Sequence, residues 1–120
     1  MASERAVPLP SESVSPRVEL ARSALAAALG VDGVVAGNAG EAGIWVTQDA
    51  ARRLPGVVAT AERGGRYSVE LYLTAALVPL HELGERVAEQ VRRDVGDAGM
   101  AQRLGALHVT IADIEAGSRT

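Results

Sequence analysis

The feature that most constrains the fold is a strict alternation of apolar and polar side chains in the second half of the chain. Every second position from Tyr67 to Leu77 is apolar. A period of two is typical of a strand that buries one face. The side chains on the opposite, outer face would be those of Ser68, Glu70, Tyr72 and Thr74. The chain therefore contains a long half-buried strand, and its flanking segments must supply the neighbours.

The segment before this strand predicts a β-hairpin. Gly56–Glu62 is apolar and strand-like, and Gly64-Gly65 suits the positive φ angles of a two-residue turn. Counted outward from that turn, the strands pair Thr60 with Val69, Val58 with Leu71, and Val57 with Tyr72. This register places Val57 and Ala59 on the outer face, unless a bulge turns them to the core.

Two helices and a last strand are predicted around the hairpin. Ser15-Pro16 is a typical helix start, and an apolar stripe follows at Val18, Ala21, Leu25, Ala28 and Leu29. A second helix begins at Pro79 and carries Leu80, Leu83, Val87, Val91 and Val95 on one side. Leu107, Val109 and Ile111 alternate on the closing strand, which directs His108 outward.

The middle of the chain has weaker signals. Val31–Ala36 and Ile44–Thr47 are short apolar segments typical of strands, and Gln48–Leu54 is interpreted as a helical turn capped by Thr47. The sequence thus predicts an α+β fold of two layers, a small, mostly antiparallel sheet with helices on one face, in the order α-β-(β)-β-β-α-β. We expect one domain over 16–116, a disordered leader over 1–15 and a tail over 117–120.

Composition narrows the function. The 120 residues have a net charge of −3 and no cysteine, so thiol nucleophiles and thiolate metal sites are excluded. All basic residues are scattered arginines, which argues against binding to nucleic acid. An apolar secretion signal and a membrane-spanning run are both missing from the sequence, so we expect no direct membrane insertion. The lack of cysteine fits a reducing cytoplasm.

Catalytic motifs are not found in the sequence. The serines lie outside nucleophile motifs, the glycines do not form a phosphate loop, and His81 and His108 lack metal-ligand spacing. We expect no enzyme activity, no cofactor and no metal. Trp45 is interpreted as a core or loop-anchoring residue. An outer-face aromatic such as Tyr72 can mark an interface, or it can form a cross-strand pair that only stabilises the sheet. The predicted interface comprises Val57, Ala59, Ser68, Glu70, Tyr72, Thr74 and His108.

The second half of the chain resembles the alkaline shock protein family of Gram-positive bacteria, also described as envelope stress response proteins. The resemblance rests on GVVATAERGG followed by YSVELYL, a Val-Pro-Leu entry into the helix, VAEQV, and LHVTIADI. It implies a non-catalytic interaction protein that self-associates. It also implies a cytoplasmic location at the inner face of the membrane, reached through a membrane-anchoring protein partner.

Two other functions stay open at the level of sequence. A small regulatory module could bind a ligand or nucleic acid through its sheet or loops, since many such modules share an α+β layout. A metal-dependent enzyme would need His81 and His108 to meet in space.

Overall fold

A computed structural model describes residues 15–49 and 52–115, without the side chains at positions 49 and 52. The predicted leader, apart from Ser15, the end of the predicted domain at 116 and the predicted tail lie outside these ranges. The helices are α1 (Pro16–Leu29) and α2 (Leu80–Asp97). The strands are β1 (Val34–Gly37), β2 (Val46–Asp49), β3 (Arg52–Pro55), β4 (Val57–Ala61), β5 (Tyr67–Ala76) and β6 (Leu104–Glu115).

Strand β5 is the centre of the main sheet. One of its edges pairs in antiparallel fashion with β4 along Tyr67–Leu71 and with β1 along Leu73–Ala75, and the other edge pairs in parallel with β6. Both helices pack against the same side, where alternate β5 residues are buried. The predicted α+β class, with two layers, a mostly antiparallel sheet and helices on one face, is confirmed.

Both helices form where the sequence predicts them. The Ser15 hydroxyl accepts a hydrogen bond from the Val18 N–H at 3.1 Å, which satisfies one of the unpaired donors of the first turn of α1. In α2, Leu83, Val87, Val91 and Val95 are fully buried, in agreement with the predicted stripe. Leu29 differs from prediction because it lies at the end of α1 and is 45% exposed.

The predicted register of the β4–β5 hairpin is wrong by one residue. The connection is the three-residue turn Arg63–Gly65, not a two-residue loop, so Val57 pairs with Leu71 and Ala59 with Val69. A shift of one residue moves every side chain to the other face. Val57 and Ala59 therefore lie in the core, at 0% and 6% exposure, and cannot contribute to an outer surface.

The helical turn predicted over Gln48–Leu54 is also wrong. This region contains a second, two-stranded sheet in which β2 pairs with β3. The Thr47 hydroxyl does not cap a helix and instead donates to the Val57 carbonyl at 2.8 Å. Leu54 adds its side chain to the core. These two buried contacts favour the extended conformation over a local helical turn.

Candidate interaction surface

The outer face is the side of the main sheet that points away from α1 and α2. Strand β5 contributes the half-buried Ser68, Glu70, Tyr72 and Thr74. His108 lies opposite Glu70 on β6 and is exposed on the same face. Five of the seven residues predicted as an interface thus share one surface, while Val57 and Ala59 lie on the helix side. That the five outer-face residues take part in binding remains a prediction.

The loop between β1 and β2 folds over part of this outer face and places an aromatic stack on it. Trp45 packs face to face with Tyr72, with ring centroids 4.2 Å apart and an interplanar angle of 11°. The Asn38 N–H donates to the Tyr72 carbonyl at 2.8 Å, and the Trp45 N–H donates to the Ala39 carbonyl at 2.9 Å. Of the two roles predicted for Trp45, core residue or loop anchor, this position agrees with the loop anchor.

Gly40 fits closely against the Trp45 ring. It has a φ of +83°, and a Cβ added there would lie 2.9 Å from Trp45 Cε3. A larger residue would therefore displace the indole from its position over Tyr72. Strand periodicity indicates Tyr72 but not Trp45, because the stack joins residues that only the loop brings together.

Tyr72 also forms a polar contact on the outer face. Its hydroxyl donates to Glu70 Oε1 at 3.0 Å. Burial raises the pKa of the Tyr72 phenol, and both the hydrogen bond to Glu70 and the nearby carboxylate charge raise it further. The phenol is therefore neutral at physiological pH, and the ring is held by stacking on one side and by a hydrogen bond at its tip.

A half-open pocket of about 540 Å³ lies beside the stack. Its lining residues are Asn38, Gly40, Glu41, Trp45, Ala112 and Asp113. The Asn38 side chain is already engaged, since Nδ2 donates to Thr74 Oγ1 at 3.2 Å and Oδ1 accepts from the Gly40 N–H at 2.8 Å. Asp113 accepts a hydrogen bond from the Ile114 N–H at 2.9 Å. The pocket's polar groups thus mainly hold the loop and the strand end in place.

The two histidines lie on opposite sides of the sheet. His81 is in the first turn of α2, where it contacts Glu85 at 3.3 Å, whereas His108 is on the outer face. They cannot ligate one metal ion within a single molecule. Over the described ranges, no three His, Asp or Glu side chains gather where they could hold a metal ion.

Comparison with known proteins places the fold but not a family. No family model and no curated protein matches the chain. Among solved structures, the copper form of the MamM CTD superposes with a TM-score of 0.54 at 19% identity, covering 85% of this chain and 90% of that one. The chain therefore shares the fold of this domain.

Two variant forms of the same domain are less similar. A methionine-to-leucine variant has 19% identity and covers 84% of this chain and 100% of its own, with a TM-score of 0.49. A cysteine-to-serine variant has 18% identity and covers 85% of this chain and 100% of its own, also with a TM-score of 0.49.

Neither α1 nor α2, the helices within the described residues, is long and apolar enough to cross a bilayer.

Proposed function

We propose that this chain is a non-catalytic protein-interaction domain whose outer face receives a protein partner. The observation that carries the proposal is the Trp45–Tyr72 stack on a sheet face that the helices leave uncovered. Tyrosine and tryptophan are enriched at binding hot spots because they bury a large area and lose little conformational entropy. Here the loop and Glu70 hold both rings in place before any partner arrives.

The surroundings of the stack suit a protein surface. Ser68, Thr74 and His108 offer polar groups next to the aromatic centre, in the arrangement of an apolar core and a polar rim. The resemblance to envelope stress response proteins supports a finer proposal, in which the partner is a membrane-anchoring protein and the domain acts at the cytoplasmic face of the membrane.

Photo-cross-linking in cells tests this proposal. A photoreactive residue in place of Ser68 should form a covalent adduct with a protein of the membrane fraction. The same residue in place of Ala98, an exposed residue at the end of α2 on the helix side of the sheet, should not. Equal adducts at both positions, or none at Ser68, would contradict the proposal.

Variants of Tyr72 separate binding from folding. Tyr72→Asp removes the stack and adds a charge, so the adduct at Ser68 should fall at least about tenfold, the loss typical of a hot-spot residue. Gln102→Asp adds the same charge in the exposed turn Ala101–Arg103 before β6 and should leave the adduct unchanged. Tyr72→Phe keeps the ring without the Glu70 hydrogen bond and should retain most of the adduct. A native far-ultraviolet circular dichroism spectrum of Tyr72→Asp shows that its loss of adduct is not due to unfolding.

A ligand-binding regulatory module is a second candidate, favoured by the pocket beside Trp45. A small aromatic or cationic ligand there would contact the indole and the carboxylates of Glu41 and Asp113. Quenching of the fluorescence of Trp45, the single tryptophan, by a metabolite library would support this function. Unchanged fluorescence across the library would remove it.

A further inference from the structure

Strand β6 has one free edge. Its partner β5 occupies one side along the whole strand, and no strand lies on the other side within the described residues. Unpaired N–H and C=O groups on such an edge are a template for another strand. Natural edge strands are usually protected by lysine, proline or charge, but the central segment Leu107–Ile111 carries only His108 as a titratable group.

Two bulges define this central segment. Between Tyr67 and Val69 of β5, and again between Leu73 and Thr74, β6 uses one extra residue. At the first bulge the Ala106 N–H is directed to Glu62 Oε2 at 3.5 Å. The regular part of β6 is therefore Leu107–Ile111, which has Val109 at its centre.

The segment is self-complementary in antiparallel pairing. If two copies meet around a twofold axis at Val109, Leu107 of one copy lies opposite Ile111 of the other, and His108 lies opposite Thr110. Leu107, Val109 and Ile111 all face α2 and pack against the core, so apolar side chains meet apolar ones. An interface that contacts itself in this way fits a closed dimer.

The flanks are complementary in charge. One bulge interrupts β6 on each side of the segment, so the spacing from Val109 stays equal in both directions. Arg103, the exposed last residue of the turn before β6, then occupies the register position opposite the exposed Glu115 of the other copy, and this pairing of opposite charges occurs twice. In the single chain the Arg103 guanidinium lies beside the Gly65 turn, so it must rotate toward the edge to make the contact. A parallel arrangement would instead bring like charges together.

The groove beside the edge would be covered by the same contact. It has a volume of about 330 Å³ and lies between α2 and β6, with Leu80, Gly84, Ala88, Leu107, Val109 and Ile111 among its lining residues. Pairing of the two edges joins the grooves of the two copies and removes their apolar walls from water.

We propose that a second copy of this chain pairs with the free edge of β6, antiparallel and centred on Val109, so that the two sheets become one. The inference goes beyond the proposed function, because it names a surface of self-association that is distinct from the outer face. It leaves the outer face around Tyr72 available to the protein partner.

A pair of double variants tests the register in the full chain. His108→Arg with Thr110→Arg places like charges opposite each other twice, whereas His108→Arg with Thr110→Asp places opposite charges there. Both positions are exposed, so the fold should persist. Sedimentation equilibrium should show dimerisation about tenfold weaker in the first variant than in the second, because directly opposed pairs contribute to strand pairing.

A cysteine variant tests the centre of the contact. The chain has no cysteine, so any disulfide must come from the introduced residue. Residues facing each other on antiparallel strands lie about 4.5–5.5 Å apart at Cα, within reach of a disulfide. Under mild oxidation Val109→Cys should give a covalent dimer, and Ala98→Cys, on the exposed end of α2, should not.

Three outcomes would overturn the inference: a wild-type chain that stays monomeric at millimolar concentration, equal dimerisation of the two double variants, or equal cross-linking at positions 98 and 109. The photo-cross-link at Ser68 is scored separately. Loss of β6 pairing with that adduct retained would reject this inference alone, and dimerisation without the adduct would reject only partner binding at the outer face.

Discussion

Gly56 occupies a position where a side chain would be excluded both by the backbone conformation and by neighbouring backbone atoms. Its φ is +90°, and an added Cβ would lie 2.6 Å from the Gly37 Cα and 2.7 Å from the Tyr72 carbonyl oxygen. Its N–H donates to the Trp45 carbonyl at 2.7 Å, and its carbonyl accepts from Tyr72 at 2.8 Å. This one position joins β3 to β4 and fixes the loop that carries Trp45 against the sheet.

Gly56→Ala should lower the free energy of unfolding by more than about 2 kcal/mol. The alanine would have to adopt a left-handed backbone conformation, and its Cβ would clash with neighbouring backbone atoms. Gly96→Ala is the matched control, since Gly96 lies in α2 with nothing within 4 Å of an added Cβ and no positive φ. It should be neutral or stabilising by about 0.5–1 kcal/mol. Urea denaturation of both variants measures the difference, and equal values would contradict the argument.

The ionisation of Tyr72 should make the stability of the fold depend on pH in the alkaline range. Its pKa in the folded state is raised above the ordinary tyrosine value of about 10. The folded chain therefore keeps the phenolic proton at a pH where the unfolded chain loses it, and stability falls as pH rises above about 10. Ultraviolet titration should show one late-titrating tyrosine that Glu70→Gln shifts downward, and Tyr72→Phe should remove this component of the alkaline loss of stability.

In the β4–β5 hairpin, sequence periodicity predicts the buried face of β5 but not the register of the two strands. The alternation along β5 identifies its buried face because that side packs into the core beneath the helices, while the other side is only half-buried. The partner strand has a weaker pattern, since Val57, Val58 and Ala59 are all apolar. Its register then depends on the length of the turn. Two adjacent glycines fit both a two-residue turn, Gly64-Gly65, and the three-residue turn Arg63–Gly65 that the structure contains.

Paired truncations test that register. Val57→Ala removes a fully buried side chain and should cost about 2 kcal/mol of unfolding free energy, whereas Val58→Ala acts on the half-buried outer side and should cost less than about 1 kcal/mol. The register expected from a two-residue turn gives the reverse order. Thermal or urea denaturation of the two variants distinguishes these registers directly.

The second hairpin, β2–β3, shows what local sequence could not provide. The segment from Gln48 to Leu54 has no strict alternation, and its strands are held by distant groups. Thr47 finds its acceptor at Val57, and Leu54 packs into the core. The same limit applies to the outer face: strand periodicity indicates Ser68, Glu70, Tyr72 and Thr74, but the loop that adds Trp45 depends on tertiary contacts.

For the molecule as a whole, the two proposed surfaces are separate. Partner binding uses the outer face around Tyr72, and self-pairing uses the edge of β6. Strand β5 contributes to both, since it carries Tyr72 and aligns His108 and Val109 opposite Glu70 and Leu71. A dimer joined at β6 would present two outer faces on one continuous sheet, so a partner with two matching sites would bind with higher avidity than one domain alone provides.

The position of β6 in the chain also affects how the protein folds. β5 must wait for α2 and the following turn before it acquires its parallel neighbour, while β1 and β4 precede it in the chain. During synthesis, one side of the central strand therefore has no partner after the other side is complete. Such long-range pairings form slowly and leave an aggregation-prone edge in the meantime. The nascent chain is thus prone to aggregation at this edge until β6 pairs with β5.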